Sequence, residues 1–321
     1  MEFYSKNLSA QHFAERAVVR GLQVKSGRSG NYLVISDGKK RLSVTKSLLG
    51  CQSTFTRIFN NKGASKLYLK SLGASVLDGN LYLAAEADRA LAYAEAIGFP
   101  VVIKPDNENK GRGVYVNVER ENFYDFFELV SQRNGSAFVE KQCDFTDEYR
   151  LYCVKDKVVA ATQRLPANVT GDGERSIEEL VEAKNLERKK RGYNKYPKIK
   201  LDDEVFRVLS KSEYSLKSIP NVGKRVFLRS TSNISTGGEG IDVLGKIHSS
   251  YIKSIESVME KTPYAFLAGF DVFIRDVLKP ASKDNWYICE VNRQPAVRMH
   301  VYPWIGEPRF VGDFIMDAYF D

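Results

Sequence analysis

Phe123, Phe126, Phe127 and Val130 recur at i, i+3, i+4 and i+7, which predicts a helix ending before Gly135. Residues 83–97 predict an earlier helix, stopped by Gly98-Phe99-Pro100. Between the two, Val101-Val102-Ile103-Lys104 reads as a short apolar strand. A polar, glycine-containing loop follows it, and Val114-Tyr115-Val116 reads as the return strand. Both flanks of that loop are regular structure, as a ligand-covering loop requires.

From residue 136 strands dominate. Ala137–Glu140, Leu151–Lys155 and Val158–Gln163 read as strands, the last two joined across Asp156-Lys157. Ser176 with Glu179 makes a capping box at a helix start. Tyr251, Ile255 and Val258 mark another helix, followed by strands over Leu267–Ile274 and Trp286–Val291. The order is α+β, with no run of βαβ repeats. Near the N-terminus, Tyr32-Leu33-Val34-Ile35 leads into Ser36-Asp37-Gly38, a hairpin signal. The expected organisation is a small appended domain at 1–58, a subdomain at 59–135 carrying the glycine loop, and a subdomain at 136–321.

Composition narrows the class. The 321 residues are 43% hydrophobic and 27% charged, ordinary for a soluble globular protein. No apolar run approaches the ~20 residues of a membrane span, and the N-terminus lacks a signal-peptide core. The expected location is the cytoplasm, with no membrane partner. Four cysteines show no CxxC and no Cys–His metal spacing, so free thiols are the plain reading. The net charge of +8 could serve nucleic acid, an anionic membrane or a polyphosphate ligand. Much of it lies between Lys184 and Lys200, where a solvated helix and loop is the simplest expectation. No RNA-binding signature accompanies it.

Four separated motifs carry chemistry. Lys104 ends a strand and precedes Pro105 and the loop Asn107 to Gly113, where Lys110, Gly111, Arg112 and Gly113 suit a polyphosphate. That loop read alone is equally a flexible basic turn, and its spacing is not that of a P-loop. Asp271 sits mid-strand between Phe270 and Val272, and Glu290 and Asn292 lie two apart on one strand face. Two carboxylates and an amide oxygen suit Mg²⁺ carrying nucleotide phosphates, with a salt-bridged sheet face as the alternative. Arg229 ends a strand before a loop of hydroxyls, Asn233 and paired glycines, where a guanidinium suits a transferring phosphoryl group. Phe138-Val139-Glu140-Lys141 followed by Glu148 could hold a nucleoside, or be a surface ion pair.

In this order the motifs resemble the ATP-grasp superfamily, and more narrowly the ATP-grasp region of cyanophycin synthetases and glutathione-synthetase-like ligases. The resemblance runs from about Asn60 to the C-terminus, most specifically in RSTSNISTGG and VNRQPAVRMH. It implies two α+β subdomains gripping ATP behind a small N-terminal appended domain. Lys62 and Lys104 match the lysines on the ATP phosphates, and Lys110 to Val114 match the phosphate-covering loop. Glu140, Lys141 and Glu148 match adenine and ribose contacts. Asp271, Glu290 and Asn292 match the ligands of two magnesium ions, and Arg229 the arginine that stabilises the acyl phosphate. Asn233, Ser235, Gly237, Gly238, Arg298 and His300 fall where the substrates would lie.

The activity so implied is ligation of a carboxylate to an amine through an acyl phosphate, on an amino acid or short peptide, releasing ADP and phosphate. A homodimer stays open, and no nucleic-acid partner is expected. The competing readings are a small-molecule kinase on the same fold, a silent nucleotide-binding scaffold, and a basic nucleic-acid binder. One departure stands out. The family continues after its last metal ligand with small residues, whereas here Arg293 and Gln294 follow Asn292. The glycine loop and the basic 184–200 segment are the expected lid over a water-sensitive intermediate.

Overall fold

The computed structural model describes residues 7–26, 32–45, 48–49, 58–59, 62–106, 113–145, 147–262 and 265–321. Helix α1 (Leu8–Val19) is followed by an antiparallel sheet of β1 (Gln23–Ser26), β2 (Tyr32–Ser36), β3 (Arg41–Thr45) and β4 (Leu48–Leu49), in that order. The hairpin expected at Asp37-Gly38 joins β2 to β3. Helix α2 (Lys62–Ser71) leads into a second antiparallel sheet of β5 (Gly79–Leu83), β6 (Val101–Lys104), β7 (Tyr115–Val118) and β8 (Ser136–Lys141), ordered β5-β8-β6-β7. Helices α3 (Ala87–Ile97) and α4 (Phe123–Asn134) cover one face of it, α4 ending at a left-handed Gly135. Residue 83 closes a strand, so the helix expected to start there begins four residues later.

The third sheet is formed by β9 (Glu148–Val154), β10 (Lys157–Leu165), β13 (Glu239–Asp242), β14 (Leu267–Ile274) and β15 (Trp286–Asn292), ordered β13-β10-β9-β14-β15. Alternation along these strands sends Leu151, Ala161, Phe270, Val272 and Ile288 to one face, covered by α7 (Ser249–Glu260) and Leu69 of α2. A small unit sits beside it: β11 (Asn168–Thr170) pairs β12 (Arg225–Phe227) under α5 (Ile177–Arg191) and α6 (Asp203–Lys211), around Val169, Ile177, Val205 and Val226. The expected Ser176 capping box opens α5. The chain closes with α8 (Arg298–Val301) and α9 (Val311–Phe320).

Among the described residues, 8–45 carry no separate core. Phe13, Leu33, Ile35 and Val44 share one with Tyr152, Val154 and Ala160 of β9 and β10 and with Ile315 of α9. Arg16 and Arg20 of α1 bind Asp313 and Asp317 of α9, closing the seam. Every strand pair in the three larger sheets is antiparallel, in agreement with the α+β reading.

Candidate active site

The second sheet supplies one wall. On β8, Ala137 and Val139 point into the helical core, so Phe138 and Glu140 point away from it. On β6, Val101 and Ile103 do the same, which puts Lys104 beside Phe138 in register. Glu140, 3% exposed, accepts from Lys104 Nζ at 2.8 Å and also from Lys66 of α2. Both ammonium groups stand 5.5 Å from the centre of the Phe138 ring. Burial pushes both lysines below their ordinary range; Lys104 in turn adds to the fall at Lys66. One turn before Lys66, Lys62 donates from Nζ to the Asp106 carbonyl at 2.9 Å.

The third sheet supplies the other wall. Thr162, Arg150, Asp271 and Glu290 are successive cross-strand partners over β10, β9, β14 and β15, so their side chains form one row. Arg150 grips Asp271 with both ends of its fork, Nη2 to Oδ2 at 2.6 Å. Asn292 reaches the same oxygen at 3.1 Å. Gly269 makes room for this, since a Cβ there would lie 3.1 Å from Arg150 Cδ and 2.6 Å from Pro295. A register shift after Asp271 leaves Cys289 as the extra residue of a bulge, which lets Ile288 face the core while Glu290 faces the site. Two residues along, Glu148 accepts from Arg164 at 2.7 Å and from Ser232, while Arg164 also lies 3.3 Å from Asp271. Burial pushes the Glu148 carboxyl up, opposed by the Arg164 charge. The two walls communicate electrostatically, because Cys289 and Glu290 of the third sheet act on Lys104 of the second.

The small unit closes the third side. Arg229, 5% exposed, donates to Asp202 at 2.5 Å and to Glu204 at the start of α6, with its buried Nε unpartnered. Arg188 of α5, 1% exposed, binds the Gly237 carbonyl at 2.7 Å and lies 4.9 Å from the centre of the Trp304 ring. With Lys184 it surrounds the buried Glu239. Within the 184–200 stretch Lys184 and Arg188 are thus docked inward, while Lys189, Lys190, Arg191, Lys198 and Lys200 stay exposed, as a solvated helix and loop would have them. Arg191 and Tyr196 also pack on Trp304, the Arg191 guanidinium lying 4.3 Å from the ring centre. Gly237, at φ 98°, packs on Ile199, where a Cβ would lie 2.7 Å from Cγ1.

The ATP-binding domain of the carbamoyl-phosphate synthase L chain matches residues 61–212. A glutathione biosynthesis bifunctional protein from Desulfotalea psychrophila is 33% identical over 97% of this chain, which spans 41% of that protein's length. The cyanophycin synthetase of Trichormus variabilis is 34% identical over 81% of this chain and 29% of its own. In three dimensions the chain resembles the bifunctional glutathione synthetase of Pasteurella multocida with a TM-score of 0.76 at 27% identity, over 98% of this chain and 44% of that one. The chain has the ATP-grasp fold. The ATP-grasp architecture accounts for the two antiparallel sheets facing each other across the charged cleft.

Of the residues expected at this ATP-grasp site, Lys104, Glu140, Glu148, Asp271, Glu290 and Asn292 meet at the cleft. Lys110, Gly111 and Arg112 lie outside the described residues, while Gly113 and the exposed Val114 precede β7. Lys141 is exposed and gives its backbone N–H to Asp78. Ser235 is exposed, and the Asn233 carbonyl holds its own turn by accepting from Thr236 and Gly238. Arg298 is half-buried at the start of α8, and its side chain makes no hydrogen bond or ion pair among the described residues. His300 is 1% exposed, with its Nδ1 2.7 Å from Thr162 Oγ1 at the end of the site row and its ring packed on Tyr152. Arg150, Arg164, Lys66 and Arg188 escaped the sequence reading. Arg150 and Arg164 end up here because both strands alternate, and a Glu-x-Arg beside a late-strand Arg was the available signal.

Among the described residues no three His, Cys, Asp or Glu side chains cluster at metal-binding distance. The donor set of Asp271, Glu290 and Asn292 nevertheless fits magnesium, which takes one or two carboxylates and completes its shell with phosphate and water. The Glu290 side chain has no hydrogen bond or ion pair among the described residues, leaving both its carboxylate oxygens available. No described helix is long and apolar enough to cross a membrane.

Proposed function

We propose that the chain is an ATP-dependent carboxylate–amine ligase acting on an amino acid or short peptide in the cytoplasm. The observation that carries this reading is the row Arg150–Asp271–Glu290 on the third sheet together with the buried Lys104–Glu140 pair on the second. Phosphate-neutralising cations on one wall and hard oxygen donors on the other are what a nucleotide-using ligase needs.

Lys62, Lys104 and the 110–114 loop bind the ATP phosphates, with Lys141 and Glu148 toward the nucleoside. Asp271, Glu290 and Asn292 hold magnesium, which when bound supplies neutralising charge to the phosphates. The substrate carboxylate attacks the γ-phosphorus, giving an acyl phosphate and ADP. Arg229, Arg150 and Arg164 are the cations that offset charge on the transferring group and on the tetrahedral intermediate. An amine then attacks the acyl carbon, the C–O bond to phosphate breaks, and the amine proton passes to solvent. Arg298, half-buried and unpaired, binds a substrate carboxylate, with Asn233, Ser235 and Gly238 forming the adjoining loop. Because the chain spans 41% of the glutathione biosynthesis relative's length, the substrates are to be found by experiment.

Magnesium-dependent release of ADP and phosphate across pools of amino acids and short peptides tests the reading. A pool that stimulates release and gives a product lighter than its two parts by a water establishes ligation. Nucleotide release with a phosphorylated product, and no condensed one, would replace it with kinase chemistry.

A further inference from the structure

We infer that Lys66 is a positioning residue of the nucleotide site, sharing Glu140 with Lys104 so that Lys104 keeps free charge for phosphate. This rests on reading the cleft as an ATP site. Lys66 lies one helical turn after Lys62 on α2, and its Nζ donates to Glu140 and to the Leu77 carbonyl at 3.1 Å. Lys104 donates to the other Glu140 oxygen at 2.8 Å. The three groups are 6%, 7% and 3% exposed, so water screens them little.

Two cations share one anion here, leaving one unit of positive charge on the wall that meets the phosphates. Without Lys66 the Glu140 carboxylate would be neutralised by Lys104 alone. That pair would then be neutral, and a nucleotide would have to compete with a buried ion pair for Lys104. Lys66 thus acts on the phosphates through Glu140. A role limited to fastening α2 to β8 makes a different prediction, because it does not depend on the balance of charge.

The test compares ADP and ATP binding by titration calorimetry, with magnesium present, in the wild-type chain, Lys66→Met, Glu140→Gln, the double variant and Lys66→Arg. Removing one unit of buried charge beside a polyphosphate should weaken nucleotide binding about tenfold or more in Lys66→Met. The double variant restores the unit of positive charge and should regain most of the affinity. Lys66→Arg, which keeps the charge, should bind within about threefold of wild type and covers the case in which Lys66→Met does not fold. Equal binding by wild type and Lys66→Met overturns the inference and leaves the ATP site standing. So does a double variant as weak as Lys66→Met, or a Lys66→Arg as weak as the methionine variant. A wild-type chain that binds no nucleotide overturns both.

Discussion

Glu239→Gln should destabilise the fold by roughly 3 kcal/mol, the lower end of the cost of leaving a buried charge without its partner. Glu239 opens β13 at 5% exposure and receives Lys184 at 2.5 Å, Arg188 at 3.3 Å and Asn168 at 3.1 Å. The amide keeps the size and one acceptor, so no cavity opens and the Asn168 bond survives. What is lost is the counter-ion of two cations, one of them 1% exposed. For a chain of 321 residues that corresponds to a melting-temperature drop of roughly 4–5 °C in scanning calorimetry. Arg188→Met in the same background should recover part of the loss, with a coupling of about 1 kcal/mol or more between the two sites. A drop under about 2 °C, or strictly additive variants, would refute the reasoning and leave Trp304 and the Arg188 bonds to Gly237 and Pro197 as the anchors of α5.

Arg229→Ala should leave ATP binding in place and lower turnover by about 100-fold or more, the usual loss for such a stabilising group; unchanged turnover removes Arg229 from the chemistry. Glu290→Gln should raise the magnesium concentration needed for half-maximal activity, and an unaltered metal titration would take Glu290 out of the metal site. Burial pushes His300 down to about 3 and His12 to about 4, so both stay neutral in the fold while the unfolded chain takes up protons below its ordinary 6.5. Stability is therefore whole above pH 6.5 and falls as pH drops from there toward 4. His300→Gln should flatten the melting-temperature profile in that window, and an equally steep profile would locate the acid sensitivity elsewhere.

The strands were legible because alternation and turn residues are local properties. Val101–Lys104, the 148–154 and 157–165 pair, and the two late strands were all recognisable from a few neighbouring positions. Glu290 and Asn292 could be assigned to one face for the same reason. Their meeting with Asp271 follows from pairing across twenty residues, and the bulge at Cys289 that aligns it leaves no mark in the strand's own pattern. Cross-strand register is set by the whole sheet, so Arg150 and Arg164 read as ordinary basic residues until β9 and β10 are paired.

The basic segment shows the same limit from the opposite direction. By composition, 184–200 is a solvated charge run, and its helix has no strong apolar stripe to suggest burial. It is drawn inward by two features far away in sequence, the Glu239 carboxylate and the Trp304 ring. Docking α5 there also fixes Gly237, through the bond from Arg188, and so holds one end of the loop that follows Arg229. Lys184 and Arg188, part of the charge expected in a lid, therefore anchor the wall against which the proposed substrate loop rests.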